Sequence, residues 1–494
     1  MNTISSIIQT LSVEEKRSFI SLLKQKNKRN DTKNIQLFKI LSTTTITPKD
    51  IDIQLYGKSA KGAYHALSKR LHDSLIDFVA SKSFEGETSE EMEILKLLIA
   101  GRIFFEQKQY KIAFKTIDKA EKKAKSYALF SILNEIYYSQ IQYAHLNPSI
   151  ELETLLIKFK DNKKLLQLEE NLNLFYATVQ HELKKQHKDV VTTIEKSLDR
   201  FEISITKDLT FRSLYKLLEI LNKTAYITRD YQTILPFVEK VYTTIDNKEN
   251  LADKHLFYHI QILYYVANFY FRNKNFKKSI DYLAMMLIQM KKHQSKYYKR
   301  FFPQYTLLQT LNLNYTYQAQ EAIQILDSFE YEKFKDQISY ILDLKLGLVV
   351  CLFQQQECKK ALHTLNSFYH SDHWYTEKAG TAWVVKKNLI EILLHIDLDH
   401  IDLVESRVKS FRKKHLSYLK ENNEERVLQF LKLSILYHNK PELSADQEFK
   451  EIIKNTLNKK EFREEDIFDL SFYAWLKAKI YSTNLYETTL ALVS

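Results

Sequence analysis

Six glycines and five prolines in 494 residues constrain this chain more than any other feature of its sequence. Ordinary usage would supply roughly 35 glycines and roughly 25 prolines. Such scarcity leaves few tight turns and little of the Gly, Asn and Asp punctuation that separates short strands in sheet proteins. The chain instead runs in long Leu/Ile/Lys/Glu/Tyr segments whose apolar residues recur every three or four positions, the period of an amphipathic helix. Hydrophobic residues make up 45% of the sequence, enough to bury a large core. The expected fold class is all-α.

The opening MNTISSIIQTLSVEEKR has no basic segment followed by an apolar stretch, and no segment approaches the roughly 18 uninterrupted apolar residues of a membrane span. A cytoplasmic protein without a membrane partner is therefore expected. Its only cysteines, Cys351 and Cys358, do not make a disulfide framework, and a reducing compartment fits them. The net charge is +12, and residues 1–82 hold 14 Lys/Arg against 7 Asp/Glu. That surplus makes an anionic partner for the N-terminal part worth testing. The plainer reading is solvated, lysine-rich helix faces of the kind common in AT-rich bacterial genomes. The lysines at 108, 111, 115, 119 and 122, interleaved with Asp118 and Glu121, read as such a face.

Self-similarity organises the middle of the chain. From Ile94 to Tyr127, a first helix carries Leu97, Ala100, Gly101 and Phe104, and a second carries Tyr110, Ala113, Ile117 and Ala120. From Ile260, Leu263, Val266, Ala267 and Tyr270 precede a short polar turn, Arg272-Asn273-Lys274-Asn275, and Phe276, Ser279, Leu283 and Met286 follow it. From Leu342, the same spacing gives Val349, Leu352, Cys358, Ala361, Leu365 and Phe368. This pattern resembles the tetratricopeptide repeat, in which small residues at the eighth and twentieth positions let paired helices approach closely. Gly101 and Ala113 hold those positions.

The central residues of successive second helices are read as Ala113, Leu152, Val190, Ile234, Ser279, Ala322, Ala361 and Val404, which stand 38–45 residues apart. A regular repeat has 34, so an irregular α-solenoid is expected. Pro236 falls inside its second helix, where a missing N–H and a ring clash would break or kink it, or else the helix begins later. The resemblance implies a protein interaction scaffold or adaptor that binds a peptide or partner helix in its concave surface. Its ligand-facing positions fall on Arg102 and Phe105 in the first unit, and on Gln261, Tyr264, Asn268 and Phe271 in the Ile260 unit. The lysine and asparagine set of carboxylate-clamping relatives is not reproduced. The other aromatic residues are read as packing between repeats.

The two ends depart from the repeat. Residues 1–82 are read as an N-terminal helical cap, 83–93 as a polar linker, 94–422 as the repeat array and 423–494 as a C-terminal cap with helices near Glu424–His438, Asp446–Asn458 and Glu465–Tyr481. Near the start, Ser12 and Glu15 form a capping box, and a short helix follows near Ile35–Leu41. Thr47-Pro48 then begins another helix, Gly57 stops it, and a helix from about Ser59 to Ala80 follows. Thr47 to Ile76 resembles the helix-turn-helix of bacterial transcription regulators, with Lys58, Lys61, His65, Lys69 and Arg70 on the outer face. That resemblance implies, as the alternative to a cap, a DNA-binding regulator whose array senses a peptide, the cations meeting phosphates of DNA or another polyanion.

No phosphate loop, dinucleotide glycine pattern or nucleophile elbow is present, so no enzyme and no cofactor are expected. His363, His370 and His373 lie near Asp372 and Cys358, with His395 and His400 beyond, but His370–His373 reads as a solvated loop and not as a metal site.

Overall fold

The computed structural model describes residues 3–11, 13–26, 33–43, 51–81, 88–183, 190–204, 209–228, 230–246, 254–422, 424–457 and 467–493. Every regular element among them is a helix, and no strand occurs among the described residues. The chain divides into two compact units, Met1–Glu93 and Ile94–Ser494.

The first unit holds α1 (Thr3–Thr10), α2 (Val13–Lys26), α3 (Lys33–Thr43), α4 (Ile51–Tyr56) and α5 (Lys61–Ser81). Phe19 anchors its core, with its ring 5.0 Å from that of Phe38 and 5.2 Å from that of Phe78. On α5, Leu67, Leu71 and Leu75 are spaced one turn apart and buried, while Lys61, His65 and Lys69 are spaced likewise and exposed. Gly57 takes φ +71° between α4 and α5, a left-handed conformation that suits glycine. Asp52 of α4 then reaches the start of α5, where its Oδ2 accepts the Ala60 N–H at 2.9 Å and the Ser59 hydroxyl at 3.4 Å. Ser12 of the expected capping box and the Thr47-Pro48 helix start lie outside the described residues, as do 83–87 of the expected linker. Residues 88–93 are not linker but the start of α6 (Thr88–Glu106).

The second unit continues from α6 through α7 (Tyr110–Ser126), α8 (Phe130–Tyr143), α9 (Leu152–Leu183) and α10 (Val190–Arg200). Two positions depart from the expected spacing. Leu152 is no helix centre: it begins α9, a 32-residue helix, and is 47% exposed. Val190 likewise begins α10. One half of α9 supplies Leu155 to the core around Ala113 and Ile136, and the other supplies Leu172, Phe175 and Val179 to the core around Leu217 and Val238. A single helix thus serves two layers.

Hairpins then follow regularly. They pair α11 (Phe211–Thr228) with α12 (Tyr231–Asp246), α13 (Leu256–Arg272) with α14 (Phe276–Met290), α15 (Tyr298–Tyr315) with α16 (Ala319–Asp327), and α17 (Ile338–Gln354) with α18 (Cys358–Asn366). A short α19 (Asp372–Ala379) precedes the pair α20 (Thr381–Asp397) and α21 (Ile401–Glu421), after which come α22 (Glu425–Asn439) and α23 (Gln447–Leu457). The first helices α11, α13, α15, α17, α20 and α22 each adjoin the next in that series. α12 runs as one helix through Pro236, neither broken nor delayed by it.

Tight turns are not scarce, contrary to what glycine scarcity suggests. Lys108, Ala128, Glu202, Lys274, Tyr317, Gln356, Asp399 and Ser482 all take φ between 50° and 66° just past a helix end. In each case the next residue donates its N–H to the carbonyl five residues back, at 2.8–3.0 Å. This is the six-to-one bond of a Schellman turn, made here at a cost of about 1–2 kcal/mol for each side chain forced left-handed. Where α6 packs on α7, glycine is used: a Cβ at Gly101 would lie 2.6 Å from Ile117 Cδ1.

The last hairpin, α24 (Ile467–Tyr481) and α25 (Leu485–Val493), does not simply cap the end of the series. Tyr486 donates its hydroxyl to the Asn314 carbonyl at 2.6 Å, and Lys274 Nζ donates to the Leu492 carbonyl at 3.2 Å. The chain's end therefore lies against hairpins about 170 to 220 residues earlier, as the sequence separations of 172 and 218 show.

Candidate ligand-binding cleft

The side of α13 that carries Tyr264, Asn268 and Arg272, spaced one turn apart, opens into a cavity of about 320 Å³. Its walls come from the first helices of successive hairpins: Asn222 on α11, Leu307 and Leu311 on α15, Tyr340, Asp343 and Gly347 on α17, and Trp383 and Lys386 on α20. Ser471 and Phe472 of α24 complete the lining. Its volume is in the range of small-ligand pockets, which bury an apolar body and orient it with a few polar groups.

Those polar groups are distinctive. The Asn268 amide donates to Asn222 Oδ1 at 3.0 Å, which orients both amides along the wall and leaves each with further hydrogen-bonding capacity. Arg272 stacks over the Tyr231 ring with its guanidinium carbon 5.6 Å from the centroid. Burial pushes the Asp343 carboxyl up to about 6, against the opposing pull of Lys386, the Trp383 side chain and Arg272. Burial likewise raises the Tyr264 and Tyr340 phenols, so both remain neutral donors at physiological pH. Gly347 widens the cavity, since an added Cβ would meet nothing nearer than Leu307 Cδ1 at 4.0 Å.

The residues expected to face a ligand separate into three groups. Tyr264 and Asn268 line the cavity, and Gln261, one turn before, accepts a 3.5 Å bond from Gln304. Phe271 points the other way: it is fully buried beside Phe276 and Tyr315, with ring centroids 5.8 and 6.0 Å away. Phe105 is also a packing residue, stacked on Tyr143 at 4.2 Å and edge-on to Phe114 at 4.9 Å. Arg102 ties α6 to α8, donating to Ser139 Oγ at 2.9 Å and Glu135 Oε2 at 2.8 Å. Arg272 ends helix α13 and lines the cavity, so the turn expected from Arg272 begins one residue later. Asn222, Tyr340, Asp343 and Lys386 had no local signal, being 164 residues apart from first to last.

In the first unit, Lys58, Lys61, His65, Lys69 and Arg70 are all exposed. Among the described residues no carboxylate pairs with the four lysine and arginine side chains, and Arg70 bonds only to the Ala66 carbonyl of its own helix at 3.4 Å. The His370–His373 segment is not a loop throughout: Ser371 caps α19, accepting the Trp374 N–H at 3.3 Å. Asp372 at that helix start binds Lys414 at 2.7 Å and Lys387 at 3.5 Å, tying α19 to α20 and α21. Among the described residues no group of three His, Cys, Asp or Glu is placed to hold a metal. Burial pushes the Cys351 thiol up to about 12 and the Cys358 thiol up to about 11, leaving both as poor nucleophiles.

No protein-family model matches the chain, and no curated protein does. Among the described residues no helix is long and apolar enough to cross a membrane.

Proposed function

We propose that this protein is an interaction module that binds a peptide or partner segment in the cleft between its first helices. The supporting observation is the cavity itself. Five consecutive hairpins each turn their first helix toward it, and its lining joins a leucine-rich floor to an amide pair, two cations and a carboxyl. An extended backbone needs donors and acceptors along its length, which Asn222 and Asn268 supply, and an apolar side chain needs a dry recess, which Leu307, Leu311 and Gly347 leave open. That first-helix face is also where the tetratricopeptide resemblance puts a ligand. The role is one of binding, not catalysis.

Gly347→Leu fills the recess from a position with free space, and leucine is the better helix former. On an array of immobilised peptides, the wild-type protein should retain a defined subset, and Gly347→Leu should lose that subset while keeping its helical signal. Equal retention by both proteins would refute the reading.

A second reading is favoured by the N-terminal basic face, whose lysines and Arg70 have no carboxylate partner among the described residues. In it, α5 binds DNA or another polyanion while the array senses a peptide. Duplex binding that falls steeply with salt, and that Lys61→Glu with Lys69→Glu abolishes, would support it. Unchanged binding in the double variant would remove it.

A further inference from the structure

α24 is anchored at both apolar and polar positions. Residues 471–476 are all buried, as are Ala478 and Ile480, while Lys477 and Lys479 are half-buried and Tyr481 is exposed. It lies against the first-helix series: Ser471 accepts from Gln354 of α17 at 2.8 Å and stands 3.3 Å from the Tyr315 hydroxyl of α15. One turn on, the Trp475 indole N–H is shared between the two Asp397 oxygens at the end of α20, at 3.0 and 3.1 Å. A further turn on, Lys479 Nζ binds the same carboxylate at 2.9 Å. Ser471 and Phe472 also form one wall of the cleft.

The attachment is therefore polar and patterned. Gln354, Tyr315 and Asp397 read a hydroxyl, an indole and an ammonium at four-residue intervals along one helix. At the same contact, the buried Asn314 Oδ1 has no hydrogen-bond partner, although the Asn314 amide donates to Gln354 at 2.8 Å. With that acceptor unpaired, the contact between α24 and the groove is not fully satisfied.

We propose that α24 is a displaceable resident of the first-helix groove, and that the groove accepts the same helix from a second copy of this chain. The proposal rests on the reading of the first-helix face as the binding face, and it adds the class of partner: an apolar helix carrying an indole and, one turn later, a cation. Exchange would open the wall of the cleft formed by Ser471 and Phe472, coupling self-association to ligand binding.

The test uses the full chain and a fluorescent peptide of residues 467–493 as probe. Lys479→Glu sets a carboxylate against Asp397 and loosens the resident helix, while the probe keeps its lysine. Probe affinity for this variant should rise about tenfold or more over wild type, because apparent affinity scales with the fraction of chains whose groove is open. Adding Asp397→Asn, which keeps an acceptor for the indole but removes the charge that holds the ammonium, should reverse most of that gain. Should Lys479→Glu fail to fold, Lys479→Ala gives the same ordering with a smaller rise. Probe uptake that is absent, or equal in all folded variants, would overturn the proposal and make α24 a fixed part of the core. The cleft reading stands apart from that outcome, since it is judged by loss of array peptides in Gly347→Leu.

Discussion

Gly101 offers a test of helix packing in which the sign of an effect is predicted to reverse. A methyl at this position would sit 2.6 Å from Ile117 Cδ1 and 2.7 Å from Cγ1, with the Ala113 carbonyl at 3.7 Å. Ile117 is fully buried, so its side chain cannot swing into solvent to make room. Intrinsic propensity favours alanine over glycine in a helix by about 1 kcal/mol, whereas forcing a methyl into a filled core costs about 1–3 kcal/mol. Gly101→Ala should therefore destabilise by about 1 kcal/mol, although propensity alone predicts a gain. Ile117→Ala should cost about 2–5 kcal/mol by itself, through the cavity it leaves. In that background the clash is gone, and Gly101→Ala should now stabilise by about 1 kcal/mol. The four proteins form a double-mutant cycle with a coupling of about 2 kcal/mol, read by urea unfolding, with hydrogen exchange over residues 94–126 to localise the effect. A stabilising Gly101→Ala in both backgrounds would show that α6 and α7 do not meet at this point.

Asp343 links stability to pH. Its folded value of about 6 lies above the ordinary 3.8, so its ionisation opposes folding at high pH, and the penalty fades as pH falls through 6 toward 3.8. Asp343→Asn should therefore stabilise by on the order of 3 kcal/mol at pH 7.5 and by under about 1 kcal/mol at pH 4, and an equal gain at both pH values would contradict the buried carboxyl. Asp52 has the opposite sign. The Ala60 N–H bond holds its carboxyl below the ordinary range, so the cap contributes above that range and is lost as pH falls through the lowered value. Asp52→Ala should speed amide exchange at the start of α5 at neutral pH and make no difference in strong acid. Tyr317 is 76% exposed and left-handed at φ 66°, so Tyr317→Gly should raise the unfolding midpoint. A gain of about 0.5–1 kcal/mol is expected after the entropy of the added glycine is set against the relieved strain, and a loss would mean that the ring contributes there.

The all-α class was legible because helix spacing persists wherever glycine and proline do not interrupt it. The three clearest hairpins were legible too, since Gly101, Ala113, Ser279 and Ala361 mark close helix contacts in local sequence. Other features left no such mark. Leu152–Leu183 contains neither glycine nor proline, and apolar spacing alone does not say where one long helix should be cut into two. Left-handed turns placed on lysine, alanine or tyrosine look like ordinary helix surface in a sequence. The register of a 34-residue repeat points Phe105 and Phe271 outward, whereas both are buried among neighbouring aromatic rings. The cleft was legible only at Tyr264 and Asn268, because its other polar groups come from hairpins that no local motif connects. For α24 part of the signal was present: Phe472, Tyr473, Trp475 and Leu476 follow one another, and so apolar a run must be covered on more than one side.

Hydrogen exchange of the full chain, with and without the tightest peptide from the immobilised array, locates the ligand directly. If the first-helix cleft is the binding face, protection should appear around Asn222, across 264–272, across 340–350 and across 382–390, while α12, α14, α16 and α18 exchange as before. Protection confined to those second helices, or to α5 of the first unit, would place the ligand elsewhere and rule out the first-helix cleft.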